Sequence, residues 1–169
     1  MMSKDENSGT GFRIRAARES DSGTILGFIR ELAEFEKLLH EVEATEEMIR
    51  KSIFEKHVAE VVLAEVDGRP VGFALFFHNF STFLGKPGIY LEDLYVKPEF
   101  RGKGYGKRLL IYLAKLAKER DCGRFEWAVL NWNEKAISFY RSMGAKPMNE
   151  WRVYRLAGNE LDEAAALQL

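Results

Sequence analysis

The stretch that most constrains the fold runs from Ile89 to Arg108. Its first eight residues, 89–96, are rich in β-branched and aromatic types, which is typical of a strand. Pro98 has no N–H to donate to a ladder, so the strand is predicted to end before it. Three glycines at alternate positions follow, and apolar residues then recur with the spacing of an amphipathic helix. The stretch therefore predicts a strand, a glycine-rich loop and a helix.

A unit of this kind is suited to hold an anion. Glycine permits positive φ and close approach of a ligand to the backbone, and successive N–H groups then point at the positive end of the helix dipole. A Walker A loop would need a glycine where Arg101 stands, and the dinucleotide fingerprint would need one where Lys107 stands. What remains is an R-G-x-G-x-G loop after an acidic strand, which favours a diphosphate as ligand.

Composition places the chain among ordinary globular proteins. It has 169 residues, 46% of them hydrophobic, and a net charge of −1, which suits one domain and gives no global basic excess for nucleic acid. The single cysteine, Cys122, excludes an internal disulfide and a multi-cysteine metal site. No 18-residue apolar run and no signal-peptide core are present, so we expect a cytoplasmic protein without a membrane partner.

The remaining elements follow from periodicity and from turn and capping signals. They are a strand at 12–16, a helix capped by Asp21 with apolar positions reaching Leu39, a helix capped by Thr45, strands at 60–66 and 71–77, a loop at 79–88, a strand at 125–130, a helix at 134–143 capped by Asn133, and a strand at 151–156. This order predicts an α/β protein with a mixed sheet flanked by helices. Residues 1–10 are expected to be disordered, 11–157 to form the domain, and 158–169 to form a frayed or helical tail.

This order, together with the loop, resembles the GNAT superfamily of N-acetyltransferases, and within it the diamine (spermidine/spermine) and thialysine N-acetyltransferases. The matching stretches are residues 30–36, 90–93, 101–106, 132–134, 139–140 and 144–145. The resemblance implies the GNAT acyl-CoA N-acyltransferase fold with a splayed central strand pair. It also implies acetyl-CoA as co-substrate, no metal, a homodimer, and a small cationic amine as acceptor.

The resemblance assigns cofactor contacts position by position. Backbone groups of the strand end would lie along the pantetheine arm, the loop would hold the pyrophosphate, and the start of a later helix would line the other side. The residues implied are Leu94, Tyr95 and Val96; Arg101, Gly102, Lys103, Gly104, Tyr105, Gly106 and Lys107; and Asn133, Glu134, Lys135 and Ala136. Tyr140 matches the tyrosine beside the acetyl sulfur.

The chemistry of amine acetylation gives two of these residues a role. An alkyl amine has a pKa of about 10.4, so a base must remove its proton before nitrogen can attack the thioester. Glu92 is the candidate base, directly or through water, and Tyr140 is the candidate acid for the leaving thiolate. Taken alone, Glu92 could be a strand acid paired with a neighbour and Tyr140 a core tyrosine. Cys122 lies far in sequence from these residues, so transfer is expected to be direct, within a ternary complex.

The acceptor side is predicted to be acidic. The resemblance implies contacts from Phe35, Glu36, Glu92, Asp93 and Glu150, a set whose negative charge favours a cationic amine. A diamine, a polyamine and a lysine analogue such as thialysine all stay open. Two other classes also stay open: a protein or peptide amine acetyltransferase, and a non-catalytic CoA-binding module.

Overall fold

The computed structural model describes residues 11–168. The chain divides into two compact units, Met1–Ala128 and Val129–Leu169, and each is described by itself below. The disorder predicted for residues 1–10 lies outside the described residues.

The first unit is built on a mixed sheet, as predicted. Its strands are β1 (Phe12–Ala16), β2 (Glu60–Val66), β3 (Arg69–Ser81), β4 (Lys86–Val96) and β5 (Arg124–Trp127). They lie in the order β1-β2-β3-β4-β5, and these five are the strands of residues 11–168. Neighbours from β1 to β4 pair antiparallel, whereas β5 pairs parallel to β4.

The predicted loop at 79–88 is wrong, because β3 and β4 continue toward each other and leave only a short turn between Ser81 and Lys86. Asn79 and Gly88 lie opposite each other in the ladder. A Cβ at Gly88 would collide with the Asn79 side chain, whose Nδ2 donates to Glu126 Oε2 at 2.9 Å. A glycine and an asparagine, which usually indicate a loop, are therefore a matched pair inside this sheet. The strand predicted to reach residue 130 also ends early, at Trp127.

Helices cover both faces of this sheet. Helix α1 (Ser22–Phe35) and helix α2 (Glu46–Arg50), which continues as a π-helical turn (Lys51–Glu55), contribute to one core. That core contains Ile25, Phe28, Ile53, Val61, Leu63, Phe73 and Tyr95. Helix α3 (Tyr105–Glu119) lies on the other face, where Tyr105 stacks on Phe12 with ring centroids 4.5 Å apart.

Two helix starts show which capping predictions hold. Thr45 caps α2 as predicted, since its Oγ1 accepts from the Met48 N–H at 3.2 Å. Asp21 precedes α1 but makes no capping bond to that helix. Its carboxylate accepts from the Arg18 N–H at 2.7 Å and pairs with Arg15, also at 2.7 Å, so the capping role predicted for Asp21 is wrong. The ion pair with Arg15 lowers the pKa of Asp21.

The second unit contains helix α4 (Glu134–Ser142) and helix α5 (Gly158–Ala165). Asn133 caps α4 as predicted, and Gly144 follows it at a φ of +86°. The strand predicted at 151–156 is wrong: within the described residues this segment pairs with no strand. Its alternating apolar residues favour a strand, but a strand also requires a neighbouring edge, which propensity does not supply.

No helix among residues 11–168 is both long and apolar enough to cross a lipid bilayer.

Candidate functional site

The end of β4 carries a β-bulge at the predicted base. Leu91 lies opposite Phe76 and Asp93 lies opposite Leu75, so Glu92 is the extra residue between two paired positions. A bulge bends its strand and re-aims the side chain it carries. Glu92 is exposed there, whereas its neighbours Leu91 and Asp93 are buried and half-buried.

The same strand has an open edge beyond the bulge. Pairing with β5 spans only Gly88–Leu91, whereas pairing with β3 continues to Val96. From Glu92 to Val96, β4 therefore has a strand neighbour on one side only within the described residues. β4 and β5 separate here, as in the splayed strand pair that the resemblance implies, so the β4 edge from Leu94 has no strand partner, and the Val96 carbonyl oxygen on it accepts from Arg101 Nε.

The glycine-rich loop ends in a helix start that has no side-chain cap. Gly102 and Gly104 have φ of +77° and +80°, and a Cβ added to either would meet no atom within 4 Å. Gly104 is the residue before α3 and supplies no capping side chain, so the first-turn N–H groups of that helix have no intrahelical acceptor. Open space, free amides and the positive end of the helix dipole together fit the pyrophosphate of acetyl-CoA.

Three carboxylates share the region of the bulge. Burial, and then the negative charges of Glu92 and Glu36, together raise the pKa of Asp93 to about 6. Burial also raises the pKa of Glu36, which follows the last residue of α1. Every influence on Asp93 opposes its negative charge, so a cation entering this cluster would relieve that repulsion.

Arg101 connects the loop to the end of α1. Its Nε donates to the carbonyl oxygen of Val96 at 2.8 Å. Its guanidinium carbon lies 4.9 Å from the ring centroid of Phe35 and 5.3 Å from that of Tyr95. Phe35, predicted on the acceptor side, is thus in contact with the first residue of the predicted phosphate loop.

Tyr95 connects Arg101 to Glu31 of α1, a residue that was not among the predicted site residues. Burial, and then the charge and hydrogen bond of Glu31, raise the pKa of the Tyr95 hydroxyl, whereas Arg101 lowers it. Glu31 also accepts from Lys97 Nζ at 2.9 Å. Glu31 and Phe35 lie one turn apart on α1, so their spacing in the sequence predicts that they share a helix face. The spacing does not predict which strand that face contacts.

The second unit holds the other predicted site residues. Asn133 Oδ1 accepts from the Ala136 N–H at 3.2 Å, so this amide, predicted to line the cofactor, already has an acceptor. Glu134 and Lys135 are exposed in the first turn of α4. Tyr140 is half-buried, with its ring centroid 5.4 Å from that of Phe139. Glu150 is exposed in a turn.

The structure therefore brings Phe35, Glu36, Glu92 and Asp93 together with the loop in one unit, and it describes Tyr140 and Glu150 in the other. The roles of all these residues in binding and catalysis stay predictions. A cavity of about 280 Å³ elsewhere in the first unit contains none of them; it is lined by Thr24, Gly27, Phe28, Glu31, Pro70 and Lys97. No group of three or more metal-ligating side chains occurs in the part of the chain that the structure describes.

Comparisons with known proteins show the family of the chain. The model of the acetyltransferase (GNAT) family matches residues 26–145. The thialysine N-epsilon-acetyltransferase of Mus musculus is 41% identical, over 90% of this chain and 96% of its own length. The L-ornithine N5-acetyltransferase of Arabidopsis thaliana is 32% identical, over 97% and 94% respectively. The spermidine/spermine N(1)-acetyltransferase-like protein 1 of Homo sapiens is 31% identical, over 91% of this chain and 24% of its own length.

Solved structures share the fold. An integron cassette protein from the mobile metagenome of V. cholerae superposes with a TM-score of 0.80 at 27% identity, covering 94% of this chain and all of its own. A ribosomal-protein-alanine N-acetyltransferase from Brucella melitensis gives a TM-score of 0.69 at 22% identity, covering 87% of this chain and 99% of its own. The second likeness concerns the fold alone.

Proposed function

The chain belongs to the acetyltransferase (GNAT) family, and on that premise we propose that it acetylates the side-chain amine of a small basic amino acid of the thialysine or ornithine class. The thialysine and ornithine enzymes are similar to it over nine-tenths or more of both chains, which supports this acceptor class. The observation that carries the proposal is the carboxylate cluster of Glu36, Glu92 and Asp93 beside the open end of β4. Such a cluster attracts a side-chain ammonium group.

Within the cluster, Glu92 is proposed as the base. The acceptor arrives as an ammonium ion with a pKa of about 10.4 and must lose a proton to become nucleophilic. Asp93 and Glu36 are partly buried, and burial raises their pKa values because it disfavours the charged form. A bound cation would stabilise that charged form, so these two acids suit the role of attracting the ammonium group. Glu92 is exposed on the bulge and can pass the proton, directly or through one water, to solvent.

Tyr140 is proposed as the acid. Acetyl-CoA supplies an activated thioester, and the proton on the Tyr140 hydroxyl would pass to the sulfur as coenzyme A leaves. The packing of its ring against Phe139 restricts the direction of that hydroxyl. Direct transfer in a ternary complex is favoured because Cys122, the one cysteine of the chain, is buried beyond the end of α3.

A thiol-release assay with a panel of amines tests the acceptor. The panel contains thialysine, ornithine, lysine, putrescine, spermidine and a lysine peptide, each with acetyl-CoA. We expect kcat/KM for thialysine or ornithine to exceed that for spermidine by about tenfold or more, the size of discrimination that a few polar contacts give. Turnover of the peptide alone would indicate a protein amine acetyltransferase. No turnover with any amine would overturn the proposal.

A homodimer is also proposed. Trp151, Val153 and Tyr154 are 72%, 87% and 88% exposed, in a segment of the second unit with the composition of a strand. Apolar patches of this kind mark contact surfaces in proteins. Light scattering coupled to size exclusion should give twice the chain mass of 19.4 kDa. A monomer mass at micromolar protein would contradict the homodimer.

A further inference from the structure

The contacts of Arg101 define a link between two parts of the first unit that the proposed function uses separately. One part is the glycine-rich loop, whose amides fit the phosphates. The other is the end of α1, where Phe35 precedes Glu36 of the carboxylate cluster. We propose that Arg101 is a positioning residue that couples coenzyme A binding on the loop to the acceptor-binding end of α1. The part of this role that concerns the acceptor rests on the proposed function.

The anchor of this link is the backbone. The Arg101 N–H donates to Pro98 O at 3.1 Å, and its Nε donates to Val96 O at 2.8 Å. These bonds fix the first residue of the loop to the end of β4. Because Gly102 follows immediately, at positive φ, any ligand that orders the glycine backbone also fixes the root of the Arg101 side chain.

The other end of the link is aromatic. The guanidinium lies within 5.3 Å of both the Phe35 and Tyr95 ring centroids, a distance at which a cation is attracted to a ring face. Tyr95 is buried and shares its hydroxyl between Arg101 and Glu31. Phe35 and Glu31 both belong to α1, so the guanidinium contacts this helix at Phe35 and, through Tyr95, at Glu31.

Backbone bonds from the N–H groups of residues 36–38 close the end of α1, and Arg101 adds a contact to its last residue, Phe35. Phe35 is 42% exposed, and Lys37, two residues later, has a φ of +62°, so the helix stops abruptly there. Glu36 lies between them and contributes charge at Asp93. A shift of Phe35 would therefore move Glu36 relative to Asp93 and change the site for the acceptor ammonium.

The experiment measures how each ligand changes the affinity of the other. The Kd of coenzyme A is determined by calorimetry with and without a saturating amount of the best amine of the panel. In the wild-type protein we expect the amine to lower this Kd by about fivefold or more, at the low end of usual couplings between sites. In Arg101→Lys and in Phe35→Leu we expect the factor to fall to about one to two.

Two further variants separate the link from general effects. Phe35→Tyr keeps the ring and should keep the wild-type factor. Arg108→Lys makes the same change, a planar guanidinium to an ammonium, at an equivalent contact on the other face of the sheet, where the guanidinium carbon lies 4.9 Å from the Phe12 centroid, and should also keep the wild-type factor. If Arg101→Lys weakens coenzyme A binding but leaves the factor unchanged, Arg101 contacts the phosphates directly and the coupling role is overturned.

Hydrogen exchange tests the link without any acceptor. Coenzyme A should slow amide exchange in residues 31–38 of the wild-type protein, and this protection should be absent in Arg101→Lys. If no amine is accepted, the proposed function fails while this measurement still decides the link. Equal protection in wild type and variant would overturn the coupling role whatever the acceptor.

Discussion

Helices α3 and α4 begin in opposite ways, although both starts were predicted to bind the same cofactor. At α3, Gly104 is in the left-handed region and offers no side chain to the first-turn amides. At α4, Asn133 Oδ1 accepts from the Ala136 N–H, so one of the first-turn amides already has an acceptor within the protein. An uncapped start keeps its N–H groups for a ligand, whereas a capped start uses one of them for its own stability.

The difference extends to the residues nearby. The strand before α3 carries Asp93, whose charge is disfavoured by burial and by two other acids, so this region combines a destabilised carboxylate with uncapped helix amides. Helix α4 instead presents Tyr140, whose ring is half-buried. We infer that the α3 region supplies binding through unsatisfied groups and that α4 supplies one reactive side chain.

The largest expected effect concerns that side chain. Tyr140→Phe should lower kcat by about a hundredfold, the usual contribution of a positioned acid, because the hydroxyl that we propose protonates the sulfur is lost. The Kd of coenzyme A should change by less than about twofold, since the ring and its packing stay. Steady-state kinetics and calorimetry measure the two. The matched control is Tyr154→Phe in the same unit, and equal turnover by both variants would remove Tyr140 from the mechanism.

Asp93→Asn tests whether the region before α3 really holds unsatisfied charge. A pKa raised from 3.8 to about 6 means that the ionised group destabilises the folded state increasingly as pH rises through this interval. The variant should be more stable than wild type by about 3 kcal/mol at pH 7.5, and most of this gain should be lost near pH 4. Urea unfolding at several pH values measures this.

Asp121→Asn is the control of opposite sign. The hydrogen bond to Lys86 Nζ, 2.7 Å long, lowers the pKa of Asp121, so its stabilising charge is present at neutral pH and lost as pH falls. This variant should therefore be no more stable than wild type at pH 7.5. A gain in both variants would show that removing any negative charge stabilises the protein.

Gly104→Ala probes the uncapped start itself. A side chain in the left-handed region costs roughly 1–2 kcal/mol, so we expect the Kd of coenzyme A to rise by about tenfold as the loop leaves its binding conformation. Gly27→Ala is the matched control, because Gly27 lies inside α1 with no atom within 4 Å of its added Cβ. That variant should gain stability and keep its affinity.

The smallest effect is expected at the capped start. Asn133→Ala should cost about 1 kcal/mol of unfolding free energy, and Asn133→Ser should restore most of it. Neither variant should change the Kd of coenzyme A by more than about threefold, a little over half a kcal/mol. A tenfold loss of affinity in Asn133→Ala would show that both helix starts bind the cofactor. This result would contradict the inference that the capped start of α4 differs from the uncapped start of α3.

Local signals account for what could be predicted. Proline, alternating glycines and the apolar spacing after them depend only on neighbouring residues, and they correctly indicated β4, the loop and α3. The bulge at Glu92 could not be predicted, because it is set by the register with Leu75 and Phe76 of another strand. The contact of Arg101 with Phe35 joins residues 66 positions apart, and nothing local specifies it.

Residue types at short spacing specified the order of the elements as far as α4, the glycine-rich loop and the family. Only the tertiary fold placed these groups: it leaves the first-turn amides after Gly104 without a side-chain cap, half-buries Asp93 near two other acids, and ends the β5 ladder at Leu91. A strand sequence at 151–156 remains without a ladder for the same reason. Local preference proposes a conformation, but burial and pairing with distant residues determine whether it forms and what it exposes.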